Sequence, residues 1–280
     1  MSNKELLNNI KNLRELTGVG FKDCKLALDE SNGDIEKSIE FLRKKGIAKA
    51  TKKMNRTASE GLVLIHQIDG EVSIVEINSE TDFVAKNNDF ISFCKEISEI
   101  CFTEKGNLEK INAKLMKNEI SVKDNLIDLI AKIGEKIFLR RTIFFDKENG
   151  NNYSYVHGAV EKNIGKIASI VKLSKNENSS EVGNKLAMHI AASNPISIDK
   201  DGLDAEVISK ELEIIKAELL NTGKKKELIE KISKGKLNKF ISDNTLLNQV
   251  WIMDPKMKVS DMVKNIKILD FIRYKVGEGV

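Results

Sequence analysis

The sequence predicts an α+β protein: a three-helix module, two related α+β subdomains, and an antiparallel helical hairpin inserted in the second. Three observations carry that prediction. Apolar residues recur at spacings of three and four through positions 1–46, the stripe of amphipathic helices. An order of strand, turn, strand and helix at 62–100 is echoed at 153–190. A seam alternating spacings of four and three begins at Ile208.

In the predicted module, residues 1–46, Leu6, Ile10, Leu13 and Leu16 form the first stripe. Thr17-Gly18-Val19-Gly20 ends it, because two glycines within three residues weaken a helix interior. Cys24, Ala27 and Leu28 mark a second helix, which stops at Ser31-Asn32-Gly33. Asp34 is an N-cap for the third, with Glu36 and Glu40 toward the positive end of its dipole. Ile35, Ile39 and Leu42 continue the apolar face as far as Gly46. So short a unit has a thin core, which suits docking better than catalysis.

A basic linker is expected at 47–58, within a stretch at 43–56 that holds Arg43, Lys44, Lys45, Lys49, Lys52, Lys53 and Arg56 and no acid. It reads as a solvated linker or as a nucleic-acid arm; the first is preferred, since no aromatic residue there could stack a base. The first α+β subdomain then spans 59–148. Strands at 62–68 and 72–77 are joined by Asp69-Gly70, a strong short hairpin signal. Phe90, Phe93, Cys94, Ile97 and Ile100 mark a helix. Leu126, Leu129, Ile130 and Ile133 mark another, closed by Gly134, and 137–145 returns to strand.

The second subdomain, 149–280, repeats the pattern with strands at 153–160 and 167–173 around Asn163-Ile164-Gly165. A helix with Val182, Leu186 and Ile190 follows, halted by Asn194-Pro195. The hairpin at 204–244 pairs Ile208, Leu212, Ile215 and Leu219 with Leu228, Ile229, Ile232, Leu237, Phe240 and Ile241, breaking at Asn221-Thr222-Gly223 and interrupted at Gly235. Its exposure calls for a partner surface. A turn at Asp254-Pro255 and a strand at 268–276 complete the chain.

Composition narrows the function. With 280 residues, 41% hydrophobic and 31% charged, the chain is globular, and it lacks the roughly 18-residue apolar run of a membrane span. Met1-Ser2-Asn3-Lys4-Glu5 has no secretory apolar stretch, which predicts a cytoplasmic protein. A net charge of +4 is too mild to require nucleic acid. Cys24, Cys94 and Cys101 have no metal-type spacing and form no disulfide framework; Cys94 reads as a small buried hydrophobe. His66, His157 and His189 are too scattered for a legible metal site. Gly18-Val19-Gly20 lacks the third glycine of a phosphate loop, and neither a Walker motif nor a Gly-x-Ser-x-Gly elbow occurs. No nucleophile, base and orienter fall together, so no catalytic residues and no cofactor are expected.

The informative segment is the strand-to-helix corner, Thr81-Asp82-Phe83-Val84-Ala85-Lys86-Asn87. Turns favour Gly, Asn, Asp or Ser, yet a bulky Phe83 stands here beside an acid. It either plugs the core or faces a partner. The polar connection at 174–180 in the sister subdomain has no counterpart, which favours the partner.

Five collinear segments then resemble the elongation factor Ts family, nucleotide-exchange factors for elongation factor Tu. They are Leu13-Arg14-Glu15-Leu16-Thr17-Gly18-Val19-Gly20 with Asp23-Cys24-Lys25 and Asn32-Gly33-Asp34; Thr81-Asp82-Phe83-Val84-Ala85; Lys132-Ile133-Gly134-Glu135; Met188-His189-Ile190-Ala191-Ala192-Ser193; and Gly277-Glu278-Gly279. The resemblance covers essentially the whole chain. It implies a ubiquitin-associated-like N-terminal module, two related subdomains and a protruding hairpin. It implies elongation factor Tu, GDP-bound or nucleotide-free, as the partner, with neither membrane nor direct nucleic-acid binding. Thr81, Asp82, Phe83 and Val84 would act in dislodging Mg²⁺, Phe83 as a wedge between helices of the GTPase. Val19, Gly20, Phe21 and Lys25 would dock the module, with Lys52 and His189 as further contacts. Two alternatives stay open: Phe21 as a cap on its own core, and His189 as a satisfied helix histidine.

Departures from the family pattern are Asn78-Ser79-Glu80, where many relatives carry a cysteine, and the end at Val280, where enterobacterial relatives continue into a further helix that grips the partner. The first is expected to be neutral; the second puts that contact in doubt and leaves two expectations open, a homodimer or 2:2 complex through the hairpin, or simply weaker binding. The rival reading is a structural adaptor that binds another protein or the ribosome through the module and hairpin.

Overall fold

The computed structural model describes residues 3–17, 19–53, 55–177, 179–220 and 226–280, with side chains at all of these except 3, 4, 49, 52 and 226. The chain divides into two compact units. Met1–His66, Ser73–Phe144 and Lys275–Val280 make the first; Gln67–Val72 and Phe145–Tyr274 make the second.

The first unit begins with α1 (Asn3–Thr17), α2 (Phe21–Glu30) and α3 (Ile35–Lys53). Their small core is Ile10, Leu13, Cys24, Ala27, Leu28 and Leu42, with Leu6, Val19, Ile35 and Phe41 packed against it. The Lys37 N–H donates to Asp34 Oδ1 at 3.0 Å, the cap expected of Asp34. Leu16, by contrast, is exposed and outside that core.

Gly46 does not end α3, and the expected linker at 47–58 is helical as far as Lys53. The reason is tertiary: a Cβ on Gly46 would lie 3.2 Å from Ala131 Cβ, so the missing side chain lets α3 pack closely on a later helix. That packing outweighs a glycine's intrinsic penalty of about 1 kcal/mol. The basic side chains of α3 are correspondingly engaged, Arg43 with Asp124, Lys44 with Glu40 and Lys45 with Asp23, at 2.7–3.0 Å.

There follow β1 (Glu60–Ile68), β2 (Glu71–Ser79), the corner, α4 (Asn88–Thr103), α5 (Leu108–Ala113), α6 (Val122–Ile133) and β3 (Ile137–Phe145), with β2 between β1 and β3. Asp69 (φ 51°) and Gly70 (φ 84°) supply the two left-handed residues of the hairpin turn. The helix α5 falls where the periodicity signals no element; Asn107 caps it, accepting the Lys110 N–H at 3.1 Å. Phe90, Ile97, Ile111, Leu62, Leu64, Ile74, Ile77 and Ile137 are fully buried. Cys94 and Cys101 join them, and burial pushes the Cys101 thiol up to about 12, so both behave as small apolar side chains.

In the second unit, β4 (Asn151–His157), β5 (Ile164–Gly165), β6 (Ile167–Leu173) and α7 (Ser179–Ser193) precede a hairpin of α8 (Ala205–Leu220) and α9 (Lys226–Asn244). Then come α10 (Val259–Met262) and β7 (Ile268–Lys275), the sheet running β4-β6-β7. β4 and β6 pair antiparallel from Asn151↔Leu173 to His157↔Ile167. The Ser169 hydroxyl donates to the Ala187 carbonyl at 2.7 Å, tying α7 to β6. Ile215, Leu219 and Ile229 bury the hairpin seam, with Ile232 and Leu237 against them. Gly235 leaves α9 unbroken, open space lying where its side chain would be. The expected break at 221–223 lies outside the described residues.

One buried ion organises the first unit. Glu76, on β2, is fully buried. Its Oε1 accepts from Arg140 (2.9 Å), the Gly277 N–H (2.9 Å) and Asn78 (3.1 Å), and its Oε2 from Arg141 Nε (2.6 Å). Gly277 has φ 74°, and a Cβ there would overlap the Ser59 carbonyl at 2.0 Å, so only glycine brings the tail this close. A buried carboxylate is tolerable only when paired and hydrogen-bonded. Glu76→Ala removes the buried counter-charge of two guanidiniums and is expected to destabilise the protein by about 3 kcal/mol, read as a lower denaturant midpoint.

Candidate partner-binding site

The corner at 81–87 leaves β2 and closes into one turn of 3-10 helix, Val84–Lys86. Ser79 Oγ donates to the Thr81 carbonyl at 3.0 Å, while the Lys86 and Asn87 N–H groups donate to the Phe83 and Val84 carbonyls. Asn87 then caps α4, its Oδ1 accepting the Asp89 N–H at 2.9 Å and the Phe90 N–H at 3.2 Å. Val84 and Ala85 enter the core. Phe83 points the other way and is 77% exposed.

Three residues per turn place Lys86 over Phe83. Lys86 Nζ lies 5.9 Å from the ring centroid and 2.8 Å from Asp82 Oδ2. The corner therefore presents an aromatic face flanked by a carboxylate and an ammonium. Leaving a Phe in water forgoes about 2 kcal/mol of burial, and nothing in the turn geometry requires an aromatic there.

Three chain segments converge beneath this corner: the end of α3, the end of β2, and the turn from α6 to β3. Glu135 Oε2 accepts the Thr81 N–H at 2.9 Å, and its Oε1 accepts the Thr81 hydroxyl at 2.7 Å. Glu80 Oε1 accepts the Lys136 N–H at 2.6 Å and, with Oε2, pairs with Arg56 at 3.2–3.3 Å. Lys136 Nζ donates to the Arg56 carbonyl at 2.8 Å, and Lys53 Nζ to the Gly134 carbonyl. Burial raises the Glu80 pKa, but the Lys136 N–H and the Arg56 guanidinium outweigh it and hold the carboxyl below its usual value. Gly134, at φ 87°, ends α6 and turns Glu135 back toward the corner.

In the N-terminal module, Val19, Gly20, Phe21 and Lys25 sit together at the start of α2. The Val19 carbonyl accepts from Cys24 Sγ at 3.4 Å, and Val19 packs on the module core. Phe21 is 47% exposed and lies outside that core, and Gly20 and Lys25 are exposed. The side chain of Lys52 lies outside the described residues.

His189 differs from the others: it is fully buried and offers no surface to a partner. Its ring stacks on Trp251 with centroids 5.2 Å apart. Because the Ile252 N–H donates to Nδ1 at 3.4 Å, the proton belongs on Nε2, which donates to Gln249 Oε1 at 2.9 Å. Gln249 in turn donates to the Asp243 carbonyl at 2.7 Å. The satisfied helix histidine is the correct alternative.

Comparison with known proteins decides the family. The model of the family described as Elongation factor TS matches residues 80–278. The Elongation factor Ts of Methylobacterium sp. (strain 4-46) is 39% identical over 97% of this chain and 92% of its own length. That of Rickettsia prowazekii (strain Madrid E) is 40% identical over 97% and 91%, and that of Maricaulis maris (strain MCS10) 39% over 97% and 91%. The chain belongs to the elongation factor Ts family.

That membership makes it a guanine-nucleotide exchange factor for elongation factor Tu in translation elongation. Among the described residues no helix is long and apolar enough to cross a membrane, and no cluster of His, Cys, Asp and Glu could hold a metal ion. Periodicity and motif reading gave no sign that Glu80, Glu135, Lys86 and Arg56 meet around the corner. The available signal was positional: an acid stands beside each of two turns, before Thr81 and after the helix stop at Gly134.

The second unit carries a pH signature. Burial lowers the His189 pKa below its usual value, outweighing the opposing bond to Gln249. The folded state then binds fewer protons than the unfolded one, so this contribution is complete above about pH 6.5 and is lost as pH falls below it. Thermal unfolding at pH 7.5 and 5.5 is expected to show a drop in midpoint that is smaller in His189→Gln.

Proposed function

We propose that Thr81, Asp82, Phe83 and Val84 form the element that opens the nucleotide pocket of elongation factor Tu. Phe83 inserts between helices of the GTPase domain beside the bound GDP. Asp82 and its neighbours displace the elements that hold Mg²⁺ and the phosphates. GDP then loses the cation that neutralises its phosphate charge, and its affinity falls. Linkage makes the effect reciprocal: rebinding of nucleotide weakens the hold of the factor by the same free energy. The cycle needs no covalent step, so the chain acts as a non-enzymatic factor.

The observation that carries this reading is the outward aromatic on a corner whose other apolar residues are buried. The loop of Val19, Gly20, Phe21 and Lys25 docks the module on the same GTPase, supported by the exposed Phe21 ring. A cytoplasmic setting follows from the partner. The hairpin seam is covered by its own helices, so a homodimer or 2:2 complex through the hairpin would use its outer face, where Ile214 and Leu228 are exposed.

Release of labelled GDP from elongation factor Tu is the test. The protein is expected to accelerate it, and equal rates with and without the protein would overturn the reading. Phe83→Ala is expected to slow stimulated release by about tenfold or more, the scale of an aromatic hot spot. Its thermal midpoint should stay unchanged, because the ring packs on little of the fold.

A further inference from the structure

The Glu80 and Glu135 carboxylates make a reciprocal exchange that the exchange mechanism has not used. The carboxylate of Glu80 takes the N–H of Lys136, the residue after Glu135, at 2.6 Å. The carboxylate of Glu135 takes the N–H of Thr81, the residue after Glu80, at 2.9 Å. Each acid thus caps the backbone of the other's turn, and Glu135 adds the Thr81 hydroxyl at 2.7 Å. Charge-assisted bonds of this kind are about twice as strong as neutral ones.

We infer that Glu135, paired with Glu80 in this double cap, is a positioning residue that holds the Thr81–Asp82–Phe83 corner in its partner-ready conformation. This rests on the wedge reading of Phe83. Glu135 has no place in that wedge itself: it lies at the end of α6 and acts on the corner through Thr81. The geometry supports the role in three ways. Thr81 is bound through both its N–H and its hydroxyl, which sets its backbone and its side-chain rotamer together. Phe83 follows two residues later with φ −63° and ψ −40°, already in the turn conformation. The bonds are made by the free protein, so the entropy of ordering the corner is met on folding rather than on binding.

The cap also connects the corner to the N-terminal module. Arg56 binds Glu80 through its guanidinium and Lys136 through its carbonyl, while Lys53 reaches Gly134. Lys53, at the end of α3, and Arg56, just beyond it, are therefore fastened to the two turns of the double cap.

A double-mutant cycle on the full-length protein tests this, with GDP release from elongation factor Tu as the readout. Glu135→Ala is expected to lower the maximal stimulated rate about tenfold. Thr81→Val, which removes the hydroxyl bond and leaves the N–H, should lower it by roughly threefold and serves if Glu135→Ala does not fold. Glu135→Gln, which keeps an acceptor for Thr81, should recover part of the loss. In a Phe83→Ala background, Glu135→Ala or Thr81→Val should add less than about twofold, since there is no ring left to position. A merely structural role would give equal factors in both backgrounds, and that result, or full activity of Glu135→Ala and Thr81→Val, overturns the inference while the wedge stands. Normal exchange by Phe83→Ala would overturn the wedge itself and this inference with it.

Discussion

Glu76 is the constraint on which the first unit depends. A carboxylate removed from water in the middle of a sheet is costly unless its oxygens are filled, and here two arginines, an amide and a backbone N–H fill them. Because those donors come from β2, β3 and the chain's last residues, satisfying one charge sets the register of three segments at once. β2 runs only three residues further before the corner begins. The anchoring of Glu76 is thus also the rigid base from which Phe83 is presented.

The corner itself separates two tasks that usually compete. Val84 and Ala85 bury apolar surface and hold the turn against the core, while Phe83 forgoes burial and faces outward. A turn carrying an exposed aromatic would be expected to rearrange until the ring found cover. It is restrained by charged contacts at Glu80 and Glu135. Polar bonds hold the apolar side chain in solvent, leaving its burial free energy available for a partner surface.

Much of this was legible in the chain. Periodicity located the helices of the module, Asp69-Gly70 located the hairpin, and Gly134 marked the end of α6. Phe83 stood out because it broke the chemistry expected of a turn. Gly46 and Gly235 misled for one reason: a glycine's effect depends on what approaches it. Gly46 admits Ala131, and Gly235 faces open space in a hairpin held by Ile215, Leu219 and Ile229. His189 misled in the other direction, since a helical histidine gives no local sign of whether it meets solvent or Trp251.

The sequence by itself determined the α+β class, the corner as the informative segment and the resemblance to an exchange-factor family, because periodicity, turn chemistry and collinear motifs are local properties. Tertiary structure decided which way Phe83 points, that α3 continues to Lys53, that His189 is internal, and that Glu80 and Glu135 cap one another. Each of these depends on residues tens of positions apart meeting in space. A pair such as Thr81 and Glu135 leaves no periodicity to read, and only the fold puts the carboxylate within reach of the corner.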